Sequence, residues 1–138
     1  MTSKKLIIHI IKTSCAVNDL LALDLKPFGI SLQQFNVLRI LRGQQGVAAN
    51  LSTVQERMVN KMSNTTRLID KLIEKNYVER TVCEENRRKI ELFITEEGLS
   101  LLKEIDPIVD RTEEKMVGHF SQGEKERFIS LLNQVNFN

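Results

Sequence analysis

Residues 63–98 read SNTTRLIDKLIEKNYVERTVCEENRRKIELFITEEG, and the hydrophobic period changes inside them. Up to Asn76, the apolar residues Ile69, Leu72 and Ile73 recur at helical spacing and form one inward face. Asn76 is expected to stop that helix, since Asn enters the left-handed conformation more readily than any residue but Gly. Beyond it, Val78 and Val82, then Ile90, Leu92 and Ile94, alternate with polar residues at period two. The connecting CEENRR is polar and charged, so the stretch predicts a two-stranded hairpin with a basic tip. Thr95 reads as the cap of a following helix, with Glu96 and Glu97 placed against the positive end of its dipole.

Toward the N-terminus, a turn over Val59 to Met62 joins this helix to a shorter one containing Val54 and Met58. Ser52 and Gln55 form a capping box for the shorter helix, while the longer one could be capped by Asn60 or Ser63. Residues 43–50, GQQGVAAN, read as a loop, with Gly43 expected at a positive φ after a helix bearing Leu32, Phe35, Leu38 and Leu41. That helix opens on a second capping box, Ser31 with Gln34, with Ile30 and Phe35 placed as a hydrophobic staple. Apolar residues at 6, 7, 10, 11, 17, 20 and 21 predict a first helix that ends before Pro27. On the C-terminal side, the helix capped by Thr95 is long, with apolar positions from Leu101 through Phe120 and a kink expected at Pro107. Ser121 with Glu124 then opens a last helix bearing Phe128, Ile129, Leu132 and Val135. The fold class is therefore mainly α with a small β-hairpin, and its centre is a winged helix-turn-helix.

Charge sorts along the chain. Residues 57–90 hold nine Lys/Arg against five acids, and residues 91–138 hold five against ten. A basic middle beside an acidic end suggests that one part meets a polyanion, although two ordinary solvated faces would have the same composition. With six Phe, one Tyr and no Trp, the chain is a poor stacking platform for single-stranded nucleic acid. Cys15 and Cys83 form no CxxC, and His9 and His119 have no paired ligand spacing, so no metal and no cofactor are expected. There is no Gly-rich phosphate loop and no Ser/His/Asp-like set, so the expectation is that the protein is not an enzyme. The run from Leu6 to Ile11 is short and broken by His9, and nothing reads as the roughly 18 apolar residues of a membrane span. A cytoplasmic protein with no membrane partner is expected.

In a helix-turn-helix the second helix enters the major groove with its N-terminal residues toward the bases. With that helix over residues 61–75, those residues are Ser63, Asn64, Thr65, Thr66 and Arg67. They are small hydrogen-bonding side chains followed by an arginine able to grip a guanine, with Lys71 further along for phosphate. Ser and Thr at a helix start would serve equally as plain caps. The wing, residues 82–89, shifts the balance, because adjacent Arg87 and Arg88 at a hairpin tip suit a narrow minor groove and neither a core nor a cap.

The segments SNTTRLIDKLIEKNYVER and ENRRKIELFITEEG resemble the MarR family of bacterial winged-helix transcription regulators, through Leu72, Lys75, Val78, Arg80, Arg88, Ile94, Thr95 and Gly98. The resemblance extends over essentially the whole chain. It implies one domain over residues 1–138, with a DNA-binding lobe at 31–98 and dimerisation helices at 1–25 and 100–138. It also implies a homodimer on a pseudo-palindromic operator in double-stranded DNA, acting as a repressor released by a small-molecule effector bound among the first, second and fifth helices. Two residues depart from the family pattern: Asn76 stands where Gly is usual, and Asn86 where Asp is usual. A neutral amide can still hydrogen-bond to the wing arginine but offers no charge pairing, so Arg88 is expected to be held less firmly. Some family members sense peroxides through a first-helix cysteine, but Cys15 is expected to be a small buried hydrophobe. Cys83, near Arg80 and Arg87, has surroundings that favour a thiolate. The alternative readings are thus a thiol-based redox regulator, or a winged-helix protein–protein adaptor.

Overall fold

The structure, a computed structural model, describes residues 1–58, 64–82, 85 and 89–138. Its elements run α1 (Thr2–Leu25), a 3₁₀ turn (Lys26–Phe28), α2 (Leu32–Gly43), α3 (Leu51–Arg57), α4 (Thr65–Glu74), β1 (Val78–Val82), β2 (Ile90–Ile94), α5 (Glu96–Val117) and α6 (Gln122–Asn133). This is the mainly helical class with a two-stranded antiparallel sheet, paired from Val78 opposite Ile94 to Val82 opposite Ile90. The expected turn at Val59 to Met62, and Ser63, Cys83, Asn86, Arg87 and Arg88, lie outside the described residues.

Local signals place most boundaries. Ser31 Oγ accepts from the Gln34 backbone N–H while Gln34 Oε1 accepts from the Ser31 backbone N–H, closing the capping box that opens α2. The Ser121–Glu124 box opens α6 in the same way. There the Ser121 backbone N–H, donating to the carboxylate, holds Glu124 below the ordinary carboxylate pKa. α5 starts on Thr95, whose Oγ1 accepts from the Gly98 N–H, and runs unbroken through Pro107. Asn76 ends α4 at φ 64°, as expected of a left-handed stop.

Two boundaries differ from expectation. Gly43 stays helical, and the left-handed residues fall later, at Gln45 (φ 51°) and Gly46 (φ 86°). α3 is capped by Asn50 rather than Ser52, with Asn50 Oδ1 accepting from the Thr53 N–H at 2.7 Å and from Thr53 Oγ1 at 2.9 Å. The cause is tertiary. Ala49 forms an antiparallel bridge with Leu92 through both backbone hydrogen bonds, at 2.7 and 3.2 Å, and this fixes the chain just ahead of Asn50. Asn50→Ala is therefore expected to cost about 1 kcal/mol. That would lower the melting temperature by about 3–5 °C at matched protein concentration. Ser52→Ala, inside the helix, should change stability by less than about 0.5 kcal/mol.

One apolar core joins α2, α3, α4, the hairpin and the first half of α5, from Phe35, Leu38 and Val54 through Leu72 and Leu92 to Leu102 and Val109. α1 contributes only its last residue, Leu25, to the fully buried set, and α6 contributes none. Their apolar side chains lie outward: Leu6, Ile7, Ile8 and Ile11 on α1, Phe128, Ile129, Leu131 and Leu132 on α6. By length and composition the helical stretch Thr2–Phe28 could cross a membrane, with mean hydropathy 1.5 over 18 residues. That corrects the expectation that no stretch approaches such a length. Ala, Cys and the branched residues raise the average although His9, Lys12 and Asp19 interrupt any continuous apolar run.

Candidate nucleic-acid interface

The helix-turn-helix is α3 and α4, and the side chains of α4 divide cleanly. Thr65, Ile69 and Leu72 are buried at i, i+4 and i+7, one stripe on the core. Thr66, Arg67, Asp70, Lys71 and Glu74 are exposed on the other side. Arg67 and Lys71, one turn apart, project from the same face.

The cap of α4 is Asn64, which was not among the expected capping residues: its Oδ1 accepts from the Arg67 backbone N–H at 3.2 Å. That bond takes one of the two lone pairs of the oxygen that a bidentate grip on adenine would need. Thr65 corrects the expected reading face. At 4% exposure its side chain belongs to the buried stripe, in phase with Ile69 and Leu72. Of the residues expected to meet DNA, Asn64, Thr66, Arg67 and Lys71 are exposed and share one helix and its cap. Ser63, Arg87 and Arg88 lie outside the described residues.

The C-terminal end of α4 is tied down on two sides. Lys75 Nζ donates to the Gly29 carbonyl, before α2. Thr95 Oγ1 donates to the Asn76 carbonyl at 2.6 Å, while the Tyr77 N–H returns to the Leu72 carbonyl at 2.9 Å. With its base held, the helix presents its N-terminal turn in a fixed direction. In the wing, Arg80 and Lys89 are exposed. Arg57, in the last turn of α3, is also exposed and donates through Nη1 to Gln44 Oε1 at 2.7 Å. Sequence reading counted this arginine only as charge; it stands at the end of the first helix of the pair, the helix that crosses the DNA backbone in helix-turn-helix proteins.

Residues 30–90, the segment just described, match the family model described as MarR family. The chain belongs to the MarR family. It is thus one of the family's winged-helix transcription regulators. Along its whole length this MarR-family chain is 27% identical to the HTH-type transcriptional regulator MhqR of Bacillus subtilis, covering 95% of that protein. A MarR-like transcription regulator from Bacillus cereus has the same fold, with TM-score 0.85, 22% identity, and 97% and 95% of the two chains covered. A mutant MarR of Escherichia coli solved with operator DNA superposes at TM-score 0.77, with 21% identity and 93% and 89% coverage.

Two grooves open on the described surface. One of about 530 Å³ is lined by Ile73, Asn76, Val78, Glu79, Arg80, Thr95 and Glu97, beside the base of the wing. The other, of about 460 Å³, lies between α1 and the start of α2, lined by Asp19, Ala22, Leu23, Lys26 and Ile30. Cys15 is a free thiol exposed on α1, not the buried side chain expected. Among the described residues, no group of three or more His, Cys, Asp or Glu could hold a metal ion.

Proposed function

We propose that this MarR-family regulator is a cytoplasmic homodimeric repressor that grips a pseudo-palindromic operator in double-stranded DNA. Thr66 and Arg67 of α4 reach base edges, Asn64 donates from the cap, and Lys71 and Arg57 meet phosphate. The observation that carries this reading is the division of α4, with an exposed Thr66–Arg67–Lys71 face opposite its buried stripe. The fold shared with a MarR solved on its operator supports the same orientation. For Ser63, Arg87 and Arg88 the proposal rests on sequence alone: Ser63 beside the cap, and the two arginines in the minor groove.

The unit is the whole chain, with a lobe at 31–98 carried by dimerising helices at 1–25 and 100–138. The outward apolar faces of α1 and α6 are covered by a second copy, which accounts for a helix apolar enough for a bilayer yet interrupted by Lys12 and Asp19. The role is regulatory rather than catalytic. A small effector, bound in the groove beside Leu23, Lys26 and Ile30, releases the operator by shifting the lobe on α1.

An anisotropy titration separates the contacts. Arg67→Ala is expected to weaken binding by about 1–3 kcal/mol and to relax base preference at one position of each half-site. Arg88→Ala should weaken binding to every duplex about equally and flatten the salt dependence. Loss of base preference from both variants alike would contradict this division of roles.

A further inference from the structure

Among the described residues, one ion pair joins the lobe to the long helix that carries it. Arg42, in the last turn of α2, places Nη1 2.6 Å from Oδ2 of Asp106 in the middle of α5, 64 positions along the chain. The core beside it is apolar, with Leu38 and Leu41 from α2 and Leu102 and Ile105 from α5. Apolar packing keeps the two helices together and limits their crossing angle to a range of about 15–20°, within which the hydrophobic effect itself is non-directional. A charge-assisted hydrogen bond has a preferred direction and length. Asp106 also precedes Pro107, which removes one backbone N–H from α5 and makes this the place where the helix bends most readily. The two side chains are 37% and 36% exposed, so the pair adds little to stability. Its effect is on geometry.

We propose that Arg42–Asp106 is a positioning contact that sets the angle of the lobe on α5, and through it the half-site spacing the dimer selects. The inference rests on the operator-binding reading above. In a two-fold dimer the lobes move in opposite senses, so a small tilt at the root of each changes the separation of the two α4 helices twice over. A change of one base pair displaces the second half-site by about 3.4 Å and turns it by about 35°. A lobe held at one angle rejects that displaced site. A lobe free to tilt accepts it.

The test uses the full-length protein and duplexes carrying its selected half-sites at the preferred spacing, one base pair longer and one shorter. Wild-type protein should prefer the middle duplex by about tenfold or more. Arg42→Gln, Asp106→Asn and the double variant should each reduce that preference to about threefold, with the double no worse than the singles because both act through one bond. Arg42→Lys, which keeps the charge, should recover part of it. Thermal unfolding and affinity for an isolated half-site should stay at the wild-type level throughout. Spacing preference kept in the single variants, or losses that add in the double, would overturn the inference. Loss of folding or of half-site affinity in the singles would overturn it as well, by making the pair merely structural. Wild-type protein that binds no duplex defeats the operator reading itself, whatever the variants do.

Discussion

Glutamate at both Ile11 and Ile129 is expected to leave a folded monomer that no longer holds an operator. These side chains are 57% and 58% exposed, on two helices whose apolar residues the chain's own core hardly uses. Fully burying an exposed Ile is worth about 1.5–3 kcal/mol; with somewhat over half of each side chain still to be buried, two positions in each of two copies amount to about 3–7 kcal/mol of dimer stability. Even the lower figure raises the dimer dissociation constant by about two powers of ten. Burying a carboxylate at the same place adds a further desolvation cost. The wing lobe should be untouched, because its core runs through α2 to α5 and neither residue belongs to it. Sedimentation velocity should show a monomer with wild-type circular dichroism, and anisotropy should show binding reduced to that of one half-site. A variant that stays dimeric would mean that the copies meet through another face.

Gly98→Ala should produce a large loss of stability for a single methyl group. A Cβ at this position would lie 2.5 Å from the Tyr77 carbonyl oxygen and 2.7 Å from Ile94 Cγ1. Neither neighbour yields easily. The Tyr77 carbonyl accepts from the Thr95 N–H at 3.1 Å, and that bond joins the start of the wing to the cap of α5. Ile94 is β-branched and lies in the paired register opposite Val78. Overpacking of this kind costs about 1–3 kcal/mol, and with a backbone oxygen as the obstacle the upper end is expected. For a chain of this size that is a fall of about 8–12 °C in melting temperature. Operator affinity at low temperature should fall too, since the relief of the clash moves Asn76 and Thr95, which hold the base of α4. A melting temperature within 2 °C of wild type, roughly the effect of a neutral surface change, would show that α5 slides at no cost.

How much of this was legible beforehand depended on whether the deciding contact was local. The boxes at Ser31–Gln34 and Ser121–Glu124 and the stop at Asn76 depend on residues a few positions apart, and each could be read. The cap of α3 could not. Asn50 and Ser52 are both good caps, and the choice rests on the bridge between Ala49 and Leu92, 43 positions apart. The left-handed residues at Gln45 and Gly46 instead of Gly43 follow from the same approach to that bridge.

Thr65 is a different case. Its phase with Ile69 and Leu72 was visible in the sequence, but an undecided cap left the start of the helix free to rotate by one residue. One residue is about 100° of helix, enough to move a threonine from the reading face to the core. The set of exposed residues on the proposed reading face is accordingly narrower than composition suggested. The exposed thiol of Cys15 was misjudged for a related reason: a residue on an apolar helix need not lie against the chain's own core.

The central claim, that paired α4 helices read two half-sites, is tested most directly by selecting bound DNA from a random duplex pool with the purified wild-type protein. The expected product is an inverted repeat whose half-sites lie about 10 base pairs apart, centre to centre, one helical turn or about 34–36 Å. A single unrepeated motif, a direct repeat, or a pool that fails to converge at low salt would contradict it.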